Sequence, residues 1–192
     1  ASIEEATYKA YQSFIAMTRD VGYPHILRVW NHFPRINENE GELELYQRFC
    51  MGRYRAYEEA GYTATSEFPA ASALGTEEGK LCIYFIAARQ PGDPIENPRQ
   101  VSAYRYPPVY GPRSPSFSRA VKRGDQLFIS GTASIVGHAT VHESQAIRQC
   151  TETLANLRAL LLETNPDCDL PSSSATWRVY LRAASDYTEV RD

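Results

Sequence analysis

Seven of the twelve prolines fall between Pro91 and Pro115, at positions 91, 94, 98, 107, 108, 112 and 115. Proline fixes φ, removes an amide donor and pushes the preceding residue out of the helical region. No helix can run through this stretch, so the chain is expected to follow an irregular or extended path there. Val101–Tyr106 reads as a short strand between the prolines. On either side the sequence alternates between helical and strand periodicity, which points to an α+β protein with mixed sheets backed by helices on one face.

Before the prolines, residues 2–19 read as a helix. Ser2 is placed to cap it, Glu4 and Glu5 stand in its first turn, and Ile3, Ala6, Ala10, Phe14 and Met17 recur at helical spacing. Gly22-Tyr23-Pro24 stops it, and His25–Phe33 follows as a strand. A second helix spans about 42–60, with Leu45, Phe49, Cys50 and Tyr57 inward and Gly61 as its stop. Ala64–Leu74 reads as extended. Lys80–Arg89 is nearly continuous in β-formers, which predicts a strand buried on both faces.

After them, Phe117–Val121 and Gln126–Ser130 flank Lys122-Arg123-Gly124-Asp125, a hairpin turn. Gly131–His142 reads as a loop. Residues 144–163 form a helix capped by Ser144, with Ile147, Cys150, Leu154, Leu157 and Leu161 on one stripe and Asn165-Pro166 as its end. Thr176–Ala183 reads as a strand, and Ser185 as the cap of another helix. A helix followed by Arg28-Val29-Trp30 is echoed by a helix followed by Arg178-Val179-Tyr180. The echo suggests the back part of one β–β–α–β–α–β module (1–90), a proline-rich linker and substrate loop (91–115), and the front part of another (116–192). Trp30 and Trp177, at equivalent places, are expected in the core, and the whole reads as truncated at both ends.

The net charge of −3, from 20 basic and 23 acidic residues, gives no cationic excess for a phosphate backbone, so nucleic acid is not an expected partner. Apolar runs as short as Ala159–Leu162 rule out a helical membrane span. Cys50, Cys82, Cys150 and Cys168 form no CxxC and lack metal-ligand spacing to histidine. They read as reduced, packed thiols of a cytoplasmic protein, Cys82 inside its strand. His138 and His142 stand four apart in a loop without a third ligand, so no metal site is expected.

Chemistry is concentrated in two places. In the loop Ser130–His138, Gly131, Thr132, Ala133 and Ser134 are small enough to let a ligand approach the backbone. In the proline-rich segment Arg99, Arg105, Arg113 and Arg119 alternate with Tyr104, Tyr106 and Tyr110, with almost no acid after Glu96. Arginine offers a planar fork for carboxylates and tyrosine a neutral donor. Together they suit a small anionic molecule.

Three blocks carry a family likeness: Ile95–Pro107 (IENPRQVSAYRYP), Tyr110–Ala120 (YGPRSPSFSRA) and Leu127–His138 (LFISGTASIVGH). With His25–Phe33 and Arg48–Arg53, they make the chain resemble the chorismatases over nearly its whole length. Gly124–Gly131, Gln149 and Asn156-Leu157 also resemble the broader YjgF-like deaminase family. The resemblance implies tandem YjgF-like (chorismate mutase-like) modules and removal of pyruvate from chorismate without a cofactor.

In that reaction a carboxylic acid protonates the enolpyruvyl methylene to give an oxocarbenium-like centre. Water then releases pyruvate and a dihydroxycyclohexadiene carboxylate, or the ring hydroxyl attacks internally on the way to a hydroxybenzoate. Carried over residue by residue, Tyr104 and Arg119 bind substrate carboxylates and Ala133 lies beside the ring. Arg105, Arg113 and Ser134 are further binding positions, with Gly131 and Thr132 in the same loop. The general-acid glutamate is expected beyond Asp192, and Glu143 is not assigned that role. The family likeness leaves a monomer or a trimer-like assembly open. Two other functions fit part of the chain: an enamine/imine deaminase, and a non-catalytic carboxylate-binding fragment.

Overall fold

The structure, a computed structural model, describes residues 2–62, 68–164 and 175–191. Cys168, the Asn165-Pro166 stop and the start of the extended run at 64–67 lie outside the described residues. The chain forms two compact units, residues 1–96 with 102–131, and residues 97–101 with 132–192.

In the first unit, helix α1 (Ile3–Asp20) begins as expected, with the Glu5 amide donating to Ser2 Oγ at 3.3 Å. Strand β1 (His25–Pro34) follows. A short hairpin, β2 (Asn39–Glu40) and β3 (Leu43–Glu44), leads into helix α2 (Leu45–Glu59). The Gln47 side chain accepts the Glu44 amide at 3.0 Å, satisfying a donor the helix start would orphan. Strands β4 (Ala70–Thr76) and β5 (Cys82–Ala88) flank β1, β4 parallel and β5 antiparallel.

Both helices cover one face of this sheet. Tyr11, Phe14 and Ile15 of α1 meet Val29 and Phe33 of β1 and Phe49, Cys50 and Tyr57 of α2. The stripe of α1 is offset from the expected one: Thr7, Tyr11 and Thr18 are buried while Met17 is exposed. Tyr11 and Thr18 can face inward because their hydroxyls are used. Tyr11 donates to Asn31 Oδ1 at 2.8 Å and Thr18 to the Ile15 carbonyl at 2.9 Å. Asn31 in turn donates to the Ser72 carbonyl at 2.9 Å, tying α1, β1 and β4 together. Burial pushes the Cys50 thiol up, although the nearby Arg53 and Tyr46 pull it back, so this cysteine is an unreactive part of the core as expected.

Strand β5 corrects the expectation of burial on both faces. It lies at the sheet edge with helices on one side only, so Ile83 and Phe85 face the core while Cys82 and Tyr84 are exposed, Tyr84 by 58%. Trp30 is likewise only half-buried, with the Arg28 guanidinium 4.5 Å from its ring centre. A register irregularity between Ile26 and Arg28 leaves Leu27 out of the β1–β5 ladder, and Leu27 joins a second cluster with Ala70, Ala88 and Val121.

That second cluster sits under a sheet of β6 (Asp93–Ile95), β7 (Ala120–Arg123) and β8 (Gln126–Ile129). The β7–β8 hairpin turns as expected at Gly124, whose φ of 56° favours glycine. Residues 101–106 are not a strand: Ala103–Arg105 is a single 3₁₀ turn, which turns the Tyr104 ring onto Phe68.

In the second unit, the expected loop contains a two-residue hairpin, β9 (Ile135–Val136) and β10 (Ala139–Thr140). Helix α3 (Ala146–Leu162) starts two residues later than expected. Ser144 is not its cap, because it adopts a φ of 59° and Gln145 stands at the cap position. The buried stripe is confined to the second half, at Asn156, Leu157, Leu160 and Leu161, with Ile147 and Leu154 exposed. Residues 176–183 form no strand, and Trp177 is 41% exposed rather than in the core. Apolar alternation only marks a face to bury; a strand also needs a neighbour for its backbone groups, and none pairs here among the described residues. Ser185 lies within a 3₁₀ turn ahead of α4 (Tyr187–Arg191) and does not cap it. No described helix is long and apolar enough to cross a membrane.

The α1–α2 crossing supplies a test. A Cβ at Gly52 would stand 2.1 Å from the Glu4 carbonyl oxygen, so the helices touch through backbone there. Gly52→Ala should destabilise the protein by about 3 kcal/mol in urea unfolding, as overpacking does.

Candidate functional site

Among the expected binding residues of the first unit, Arg119 is the most enclosed. It immediately precedes β7 and is held by residues at and beside the ends of β4, β7 and β8. The Ser118 amide donates to the Pro69 carbonyl at 3.1 Å, and the Ser130 amide to the Arg119 carbonyl at 2.9 Å. The Ser130 hydroxyl donates to the Ser118 carbonyl and accepts the Ala71 amide at 2.8 Å, while the Gly131 amide donates to the Ala71 carbonyl at 3.0 Å. One serine therefore fastens the β7–β8 hairpin to β4 on either side of Arg119.

The Arg119 side chain is only 5% exposed. Its Nη2 donates to the Tyr106 hydroxyl at 3.0 Å, and its guanidinium lies 5.3 Å from the Phe117 ring centre and 5.7 Å from that of Tyr106. Aromatic faces shield the cation from water without neutralising it, which strengthens its pull on an anion.

Sequence reasoning passed over Glu96 as merely the last acid before the arginines. The pairing of Ile95 with Ala120 sets Glu96 opposite Arg119, and the Arg119 amide donates to Glu96 Oε1 at 3.4 Å. Burial pushes the Glu96 carboxyl above the ordinary glutamate range, against the opposing pull of Ser102, Arg119 and Arg105. The strand pairing would have revealed it; the residue spacing alone does not.

Tyr104 is half-buried with Phe68, and Arg105 is exposed with its guanidinium 5.9 Å from the Tyr104 ring. Arg113 is exposed over Tyr54 at 4.4 Å. At Gly131 a Cβ would meet Ser72 Oγ at 2.9 Å, so a larger residue there would have to displace that hydroxyl. A pocket of about 180 Å³ in the same unit is lined by Arg19, His25, Tyr62, Phe68 and Pro91, and by none of the expected substrate residues.

Thr132, Ala133 and Ser134 belong to the second unit. Ala133 is exposed and Thr132 half-buried, while Ser134 is buried and donates to the Val141 carbonyl at 2.8 Å, bracing its own loop. Asn156 organises this unit. It is fully buried, and its Nδ2 donates to the Ala133 and Ile135 carbonyls, both at 2.9 Å. Its Oδ1 accepts Arg99 Nη1 and its carbonyl accepts Asn97 Nδ2, both at 2.8 Å.

Arg99 is thus not an arginine without an acid. It pairs with Glu152, 53 residues on, which His142 also approaches at 3.4 Å. The Arg99 hydrogen bond holds the Glu152 carboxyl below its ordinary range. Among the described residues no group of three or more His, Cys, Asp or Glu could hold a metal.

The family profile described as "Chorismatase FkbO/Hyg5-like, N-terminal" matches residues 1–87. A 3-hydroxybenzoate synthase of Streptomyces hygroscopicus is 37% identical over 204 residues, covering 98% of this chain and 60% of that protein. A chorismatase of the same organism is 39% identical, covering 82% of this chain and 47% of the relative. A crystal structure of a chorismatase superposes with a TM-score of 0.85 at 34% identity, over 97% of this chain and 60% of the other. The chain belongs to the chorismatase family. As a chorismatase-family chain it spans about half to three fifths of the length of these relatives. The α+β class expected from the sequence is the fold it shares with the crystallised chorismatase.

The Arg99–Glu152 pair gives a pH test. Glu152 titrates lower in the folded than in the unfolded state, so its contribution is present above the ordinary glutamate range and is lost as the pH falls through the folded-state value. Urea unfolding between about pH 3 and pH 7 should therefore show a shallower acid-side loss for Glu152→Gln than for the parent. Identical acid limbs would refute the coupling.

Proposed function

We propose that this chain acts on chorismate in a pyruvate-releasing reaction. The likeness of almost its whole length to proteins named chorismatase and 3-hydroxybenzoate synthase carries this reading. Arg119 receives a substrate carboxylate, with Tyr104 as a neutral donor to the anion and Arg105 and Arg113 adding positive potential from exposed positions. Ala133 lies beside the ring, with Gly131, Thr132 and Ser134 forming the loop around it. The general acid is one that the family carries beyond position 192, and none of these residues is given that role.

The physical demands of the reaction support the assignment. A dicarboxylate substrate brings two negative charges, and a dry arginine between aromatic rings stabilises one of them more than a hydrated lysine would. Protonation of the enolpyruvyl methylene creates a cationic carbon that either water or the ring hydroxyl attacks. A small residue such as Ala133 beside the ring sets how much room water has. The deaminase reading has no support in the names of these relatives. The cytoplasm is the proposed location, and a monomer or a trimer-like assembly the proposed state.

Pyruvate release from chorismate, followed by coupled reduction to lactate, is the direct measurement. Its absence from the intact enzyme would reject the proposal. Arg119→Ala should weaken chorismate binding by about 1.5–3 kcal/mol, as expected for a charged hydrogen bond. Unchanged affinity would remove Arg119 from the site.

A further inference from the structure

We propose that Glu96 is a specificity-determining residue whose Oε2 accepts a hydrogen bond from a hydroxyl group on the substrate ring. The proposal rests on the reading above, in which Arg119 holds a substrate carboxylate.

The β6–β7 register fixes the position of Glu96. Because Ile95 pairs with Ala120, the next residues along, Glu96 and Arg119, face each other across the two strands. The two oxygens of Glu96 then differ. Oε1 accepts the Arg119 amide at 3.4 Å. Oε2 is buried and makes no hydrogen bond. A buried carboxylate oxygen left without a donor is costly, and native structures keep few such atoms unless something else serves them.

The surroundings select what can serve it. Arg119 and Arg105 place positive charge around Glu96, and the Ser102 hydroxyl approaches it as well. An ammonium group is repelled by the two guanidiniums. A second carboxylate is repelled by Glu96 itself. A neutral donor meets neither obstacle, and a hydroxyl on the same ring as the carboxylate bound by Arg119 is such a donor. The site thus has an acceptor beside its cation, which a plain anion-binding surface does not need. Such pairing discriminates strongly, because a ligand lacking the hydroxyl leaves the acceptor desolvated and unserved. The Ser102 hydroxyl and a water molecule are the competing donors, and a ligand that left either of them serving Oε2 would show no preference for the hydroxyl.

The test is titration calorimetry with chorismate and with its analogue in which the ring hydroxyl is replaced by hydrogen. The parent should prefer chorismate by about 10- to 100-fold, the range of a hydrogen bond to a charged group. In Glu96→Ala the preference should fall to about threefold or less, whatever happens to absolute affinity. Glu96→Gln keeps the side-chain volume and an acceptor for the Arg119 amide, and its preference should fall between the two. A preference as large as the parent's in either folded variant overturns the proposal. So does a parent that binds chorismate and the analogue equally, an outcome that leaves the proposed function standing. A parent that binds neither rejects both.

Discussion

A single hydroxyl, that of Ser130, governs the geometry of the first unit. Three hydrogen bonds meet around it, to the Ser118 carbonyl, from the Ala71 amide, and through its own amide to the Arg119 carbonyl. Beside them, the Ser118 and Gly131 amides donate to the Pro69 and Ala71 carbonyls, and the rest of the contact between the β7–β8 hairpin and the helix-backed sheet is apolar, such as Val121 with Leu27 and Ala70. Hydrophobic contact is non-directional and would tolerate sliding. Hydrogen bonds fix the distance and angle of the backbone on both sides of Arg119. Placing a buried guanidinium needs that precision, because its electrostatic effect falls off with distance and rises as water is excluded.

The two units rely on the same device. In the second, Asn156 serves two backbone carbonyls, the Asn97 side-chain amide and one guanidinium from inside helix α3. It holds residues 97–100 and 133–135, which are far apart in sequence, as a ladder strand would. Buried polar networks of this kind are valuable only when every member is served. This explains how a loop of small residues can keep a defined path with so little apolar surface of its own.

Elements governed by local rules were legible in the residues. Ile3–Asp20 and Leu45–Glu59 follow from helical spacing, and the Ser2 cap and the Gly124 turn from the chemistry of those residues. Features that depend on distant neighbours were not. Whether Cys82–Ala88 is central or peripheral is decided by what pairs beyond it, and an apolar run reads the same in both cases. The polar residues of α1 are inward because Asn31 meets Tyr11, a contact across 20 residues. Ser144 has the composition of a cap, yet its left-handed backbone sends the chain elsewhere. In the site the arginines and tyrosines were visible, and their acids were not. Glu152 reaches Arg99 across 53 residues, and Glu96 meets Arg119 only through a sheet register.

The Ser130 seam also bears on the order in which the molecule acquires its shape. Its bond to Ala71 closes a loop of 59 residues, against four for each turn of the helices. The entropy of bringing such distant segments together must be met before any contact at the seam forms. Helices α1 and α2 and the β7–β8 hairpin can form from nearby residues, while the surroundings of Arg119 exist only once the seam is made. Arg119 is thus among the last parts of its unit to take up its final environment, and a chain still in the course of folding would carry it in water.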